Sequence, residues 1–207
     1  MYLPEAFRLD DRPALLAFAA AHPFATLIAP DRDGLSVSHL PLLVDAERGL
    51  LFGHLARENT QLAQLAAGAE VLAIFHGPHG YVSHSVYAQQ PSVPTWNYVV
   101  VHARGRARLL EEQGLRALLD AMVARFDSTG FALQGGEAYL APMLARIAAF
   151  EIAISGVEGK WKLSQNRTLE DQANAAAWLE RGDDSSRAVA ALMRARLRAT
   201  EPEAKEK

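Results

Sequence analysis

The chain has 207 residues, half of them apolar and 22% charged, with a formal net charge of −3 and no cysteine. That composition supports a buried core, while the missing cysteines exclude disulfides, thiolate metal sites and a cysteine nucleophile, and the negative balance excludes a surface that coats nucleic acid generally. The opening MYLPEAFRLDDRP has charges and prolines where a signal peptide needs an apolar run, and no stretch reaches the ~18 apolar residues of a membrane-spanning helix, so a cytoplasmic protein is expected.

Asp11-Arg12-Pro13 followed by ALLAFAAA predicts a helix, with Asp11 as cap and proline in the first turn; His22-Pro23 stops it. Apolar runs at 24–29, 35–44 and 50–55, separated by PDRDG and Gly49, have the rhythm of consecutive antiparallel strands. A helix is expected from about Thr60 to Ala67, ended by Gly68, and then one buried strand over Val71–Phe75. His76–Tyr98 reads as a long loop that is polar and proline-bearing, yet carries Tyr81, Tyr87, Trp96 and Tyr98. A strand follows over Val99–Leu109, with Arg104, Arg106 and Arg108 on one face. Helices are expected at Glu112–Phe126 and Glu137–Leu144, a strand at Ile147–Ser155, and two closing helices at Leu169–Leu179 and Ser185–Leu197. The charged tail, 198–207, is expected to be disordered. The order of elements suggests one α+β domain over residues 1–197, an antiparallel barrel with peripheral helices.

Four segments carry candidate chemistry. In GHLARENTQL (53–62) a strand runs into a helix start, a natural phosphate seat with Arg57, Asn59 and Gln61 as donors, or an ordinary strand-to-helix turn. All seven histidines lie between positions 22 and 102, and His76-x-x-His79 with His84 is the best metal-like spacing. No acidic residue stands at a matching interval and HExxH is absent, so no metal is expected and hydrogen-bonded strand ends account for most of them. Trp96 and Tyr98 flank Asn97, giving stacking area beside a hydrogen-bonding amide; that suits an isoalloxazine, a nucleobase or a dimer contact. In GKWKLSQNR (159–167), Lys160, Lys162 and Arg167 surround Trp161, with Ser164, Gln165 and Asn166 between. Unpaired cations are poor core residues; the set fits recognition of phosphate or an anionic ring, or a solvated turn.

Taken in order, HPFATL (22–27), SHLPLLVD (38–45), GHLAREN (53–59), IFHGPHGYVS (74–83), PTWNYVVVHARGR (94–106) and GKWKLSQNR resemble the PaiB-type family of FMN-binding-fold negative transcriptional regulators. The resemblance implies an antiparallel split β-barrel of the pyridoxamine-phosphate-oxidase type, a homodimer with ligand sites between subunits, and FMN as cofactor. By position it implies Ser38, His39, His54, Arg57, Asn59 and Gln61 around the flavin phosphate, with Trp96, Lys160, Trp161 and Gln165 contributed by the partner. Oxidases of this fold present arginine and lysine where this chain has His54, Asn59 and Gln61, which neutralise less charge. A flavin-dependent oxidoreductase acting on a small molecule, with His79 or His84 as acid or base, is the alternative; a haem-binding split barrel is the second. No helix-turn-helix with a basic recognition helix is legible. The basic candidate is the last helix, where Arg187, Arg194, Arg196 and Arg198 equally suit its C-terminal dipole.

Overall fold

The computed structural model describes residues 1–129 and 137–200, which group into two compact units. Among the described residues, one comprises 11–75, 102–129 and 137–157, the other 1–10, 76–101 and 158–200, so three of the four boundaries fall inside long strands.

In the first unit, α1 (Arg12–Ala21) begins where Asp11 accepts a hydrogen bond from the Ala14 amide, with proline in the first turn. It ends at His22, whose ring bonds the Phe18 carbonyl. β2 (Phe24–Asp31) and β3 (Gly34–Pro41) form a hairpin in register from Phe24↔Pro41 to Asp31↔Gly34. The expected 35–44 strand is broken: the amide of fully buried Leu42 bonds the Pro23 carbonyl, and β4 (Leu43–Asp45) leaves to pair with β5 (Leu50–Ala56). α2 is only Leu62–Ala66. The core includes Leu15, Leu27, Leu51, Leu65, Phe75, Phe150 and Ile152, and α3 (Glu112–Phe126) adds Leu115, Leu118 and Met122 beside Ala149. α4 spans Glu137–Leu144.

The long strands β6 (Glu70–Val82), β7 (Thr95–Leu109) and β8 (Ile147–Lys162) run well beyond the apolar runs that predict them. Both ends of the expected 76–98 loop, 76–82 and 95–98, are therefore strand, leaving 83–94, with a 3-10 turn at His84–Val86, between β6 and β7. Glycines and prolines that read as turn signals in the sequence lie inside these strands. Gly105 has no room for a side chain: a Cβ there would sit 2.3 Å from the Ala153 carbonyl oxygen. Arg104, Arg106 and Arg108 are exposed and alternate with buried Ala103, Gly105 and Ala107. Arg106 donates to the Gly68 carbonyl and Arg108 to Glu151 at 2.6 Å.

In the second unit, β1 (Arg8–Leu9) pairs with the end of β8, Arg8 opposite Lys160. α5 (Leu169–Leu179) is capped by Thr168, whose hydroxyl accepts from the Asp171 amide, and packs against α6 (Asp184–Thr200). Ala175, Ala176, Leu179, Val189, Ala190 and Met193 form the apolar seam, and Arg194 joins Glu180 across it. α6 includes positions 198–200 of the expected tail; the remainder lies outside the described residues. Gly80 is a second close approach, since a Cβ there would meet Leu179 at 2.6 Å. The eight-stranded antiparallel sheet has the order β3-β2-β6-β7-β8-β5-β4, with β1 on β8. Among the described residues no helix is long and apolar enough to cross a membrane.

Candidate functional site

The residues expected at a phosphate seat occupy the β3, β5 and β5–α2 region, and three form one chain of hydrogen bonds. Asn59 donates from Nδ2 to Ser38 Oγ at 3.0 Å, while its Oδ1 accepts from the Gln61 amide at 2.9 Å. Gln61 is 1% exposed, and its Nε2 donates to the carbonyls of Leu27 and Ser36 at 3.1 and 3.0 Å. Its donors thus lock the β2–β3 hairpin, and its buried Oε1 has no protein partner. The amides of Asn59, Leu62, Ala63 and Gln64 bond carbonyls within the turn, so a short helix start with few open donors replaces the expected array.

His39 is exposed and bonds Thr26 Oγ1 across the hairpin at 3.1 Å. His54 lies half-buried on β5 opposite Ala149, its Nδ1 buried without a partner. Burial holds its pKa below the ordinary histidine value, since nothing compensates a charged ring there. Arg57 is exposed at the rim of a cavity of about 370 Å³ floored by Leu110, Leu115, Leu144 and Ala148.

The aromatic and late-strand candidates belong to the other unit. Trp96 is 52% exposed, with His79 and Tyr81 rings at 5.7 and 6.0 Å. Beside it lies a hollow of about 400 Å³ walled by His76, His79, Trp96, Tyr98, Val99 and Val100. Lys160, a cation expected to meet an anionic ligand or to lie in a solvated turn, is 8% exposed. Its Nζ donates to the Tyr2 carbonyl at 3.2 Å and lies 5.5 Å from both the Tyr2 and Tyr98 ring centres, so carbonyl and π-faces compensate its charge. Trp161 is half-buried on β8. Gln165 folds onto its own turn, accepting from the Leu163 amide at 2.7 Å and donating to the Trp161 carbonyl at 2.5 Å.

Lys162, Arg167, Asn97, Ser164 and Tyr87 are brought together, although none is among the residues that the resemblance places around the flavin. They line a separate pocket of about 260 Å³. The mixed composition of GKWKLSQNR signals the first, second and fourth of these, but nothing in the sequence links Tyr87 to them. Among the described residues no group of three or more His, Asp or Glu is placed to hold a metal ion.

On α6, Arg187 pairs with Asp184, Arg194 with Glu180 at 2.8 Å, and Arg196 with Gln172 at 3.0 Å. Three of the four arginines of the basic candidate are therefore engaged within the fold.

Residues 1–156 match the family described as "Putative FMN-binding domain". The chain is 30% identical over 205 residues to the protease synthase and sporulation protein PAI 2 of Bacillus subtilis, covering 96% of this chain and 99% of that one. It is 27% identical over 203 residues to an uncharacterized protein of Emericella nidulans, covering 77% and 81%. Among solved structures it resembles the FAD and heme binding protein of Mycobacterium smegmatis, with a TM-score of 0.62, 19% identity and coverage of 80% and 78%. It also resembles the flavocytochrome Anf3 of Azotobacter vinelandii, with a TM-score of 0.60, 15% identity and coverage of 78% and 70%. The likeness gives the fold: an antiparallel split barrel in an α+β chain.

Proposed function

Because the chain belongs to the PaiB-type FMN-binding-domain family, we propose that it is a flavin-binding negative regulator of transcription whose effect depends on the ligand it holds. The observation that carries this reading is the open aromatic hollow beside Trp96. A wall of Trp96, Tyr98, Val99 and Val100 offers a flat apolar surface to a planar ring, and the exposed indole has a face to stack on it. Arg57, an exposed cation, is the residue of the expected phosphate group best able to meet an anion, since the Asn59 and Gln61 side-chain donors are already engaged.

Homodimerisation is part of the proposal. Phe24, Leu35 and Val37 are 65%, 70% and 52% exposed on one face of the β2–β3 hairpin, an apolar surface of the kind that pairs with a copy of itself. The engagement of the α6 arginines favours regulation by sensing or removing a small molecule over reading DNA through that helix.

The absorbance spectrum of the purified protein, with and without added FMN, tests the reading. Flavin bands support it; a colourless protein that takes up no FMN at micromolar concentration ends it. A Soret band supports a second reading, haem binding, favoured by His79 standing 5.7 Å from Trp96 at the same hollow. NAD(P)H oxidation in the presence of FMN separates an oxidoreductase from a binder, and sedimentation as a monomer at high concentration removes the dimer.

A further inference from the structure

The pocket between the 83–94 loop, the start of β7 and the turn after β8 has two cations and no carboxylate in its lining. Lys162 and Arg167 supply the charge, and Asn97, Ser164, Asn166 and Tyr87 the neutral polar groups. Each charged group is held in place. Lys162 Nζ donates to Thr95 Oγ1 and, at 2.8 Å, to the Trp96 carbonyl, leaving one of its three protons unused. The Arg167 guanidinium lies 4.3 Å over the Tyr87 ring, and among the described residues no carboxylate forms an ion pair with it. The Tyr87 side chain is 4% exposed, and its hydroxyl is buried without a hydrogen-bond partner of ordinary geometry, although Ser164 and Arg167 flank it.

The wall behind these groups is rigid. Asn97 is fully buried and donates to Ser164 Oγ at 2.9 Å and towards Met193 Sδ at 3.4 Å. Ser164 is the one described non-glycine residue at positive φ, +66°. Such a strained residue persists where the surrounding structure over-determines it, commonly at binding sites.

We propose that this pocket binds a small oxyanion, a phosphate or a carboxylate, with Arg167 and Lys162 as its charge partners and the Tyr87 hydroxyl as a neutral donor. A volume of about 260 Å³ falls below the size of pockets that take drug-sized ligands, so the occupant is an anionic head group or a metabolite of a few carbons. The unused donors point to one chemistry from either of two sources: the phosphate of a bound flavin, or a separate small anion that acts as effector. Burial, and next the charge of Lys160, hold the Lys162 pKa below the ordinary lysine value, so anion binding weakens at a lower alkaline pH than an ordinary lysine would give. The proposal does not rest on the flavin reading.

Titration of the full chain with inorganic phosphate and with acetate, followed by amide NMR, tests it. Saturable shifts are expected at Thr95–Asn97 and Lys162–Arg167, with phosphate affinity falling at least ~tenfold in Arg167→Gln, a loss of one charge-assisted contact. Tyr87→Phe, which keeps the ring under Arg167, is expected to lose about threefold, and circular dichroism verifies that both variants fold. Repeating the titration on FMN-loaded protein identifies the source. Competition with FMN, together with riboflavin binding that is unchanged in Arg167→Gln, assigns the pocket to the flavin phosphate; undisturbed phosphate binding assigns it to a separate effector. Absence of saturable binding up to about 10 mM, or equal affinity in folded Arg167→Gln, overturns the proposal.

Discussion

Replacing Gln61 with methionine separates a structural role from a ligand role at the β5–α2 turn. Methionine keeps the volume, so no cavity opens, but it removes both donations to the Leu27 and Ser36 carbonyls. Each neutral hydrogen bond contributes about 1 kcal/mol net. Deleting the unpartnered Oε1 returns part of that, leaving a loss of about 1–2 kcal/mol. For a chain of this size the melting temperature then falls by about 2–8 °C. Gln61→Glu places a carboxylate oxygen against two carbonyl oxygens in a position 1% exposed, and costs several kcal/mol more. Differential scanning calorimetry gives both values, and fluorescence titration with FMN runs alongside. The expected pattern is a ranking of glutamate far below methionine in stability, with FMN affinity in the methionine variant within about twofold of the parent, a difference of less than ~0.5 kcal/mol. A methionine variant that melts like the parent but loses FMN affinity tenfold or more, about 1.4 kcal/mol, refutes the reasoning: the amide would then be serving the ligand and not the hairpin.

Trp96→Ala is expected to change stability by no more than about 0.5 kcal/mol, because the ring is largely exposed, yet to weaken FMN by ~tenfold through lost stacking; calorimetry and flavin fluorescence read the two effects. Gly105→Ala drives a Cβ against the Ala153 carbonyl and Ile152, so urea denaturation is expected to show a loss of about 3 kcal/mol or more, or an insoluble chain. His54 titrates below 6.5 in the folded state, so its contribution is fully present above that pH. As pH falls from 6.5 towards the folded value, the unfolded chain binds the proton first and stability drops; NMR titration gives the midpoint, and His54→Gln removes this part of the slope.

The sequence carries most of the fold wherever local chemistry sets an element boundary. Asp11 before Pro13 announces α1 correctly because capping is a short-range event. The reading fails in 76–98 and beyond Ser155 because Gly80 and Gly156 break no strand. Gly80 admits a neighbour distant in sequence, Leu179, and no local pattern encodes that neighbour. Pairing contacts are equally invisible. Lys160 looks like a cation for an anionic ligand or a solvated turn, yet the Tyr2 and Tyr98 rings close over it, and Gln61 looks like a phosphate donor, yet two strand carbonyls take its Nε2. The anion pocket escapes for the same reason: Tyr87 and Arg167 are eighty positions apart in the chain.

Ser164 shows how a turn can hold its own strain. A left-handed backbone position is one that glycine fills at no steric expense, whereas a serine there sacrifices roughly 1 kcal/mol. Ser164→Gly would relieve that strain, but it deletes the hydroxyl that accepts from the fully buried Asn97 amide at 2.9 Å, and a buried donor left unsatisfied costs about 1–3 kcal/mol. Glycine at this turn is therefore no route to a sturdier protein: the buried amide behind the pocket wall keeps the serine in place.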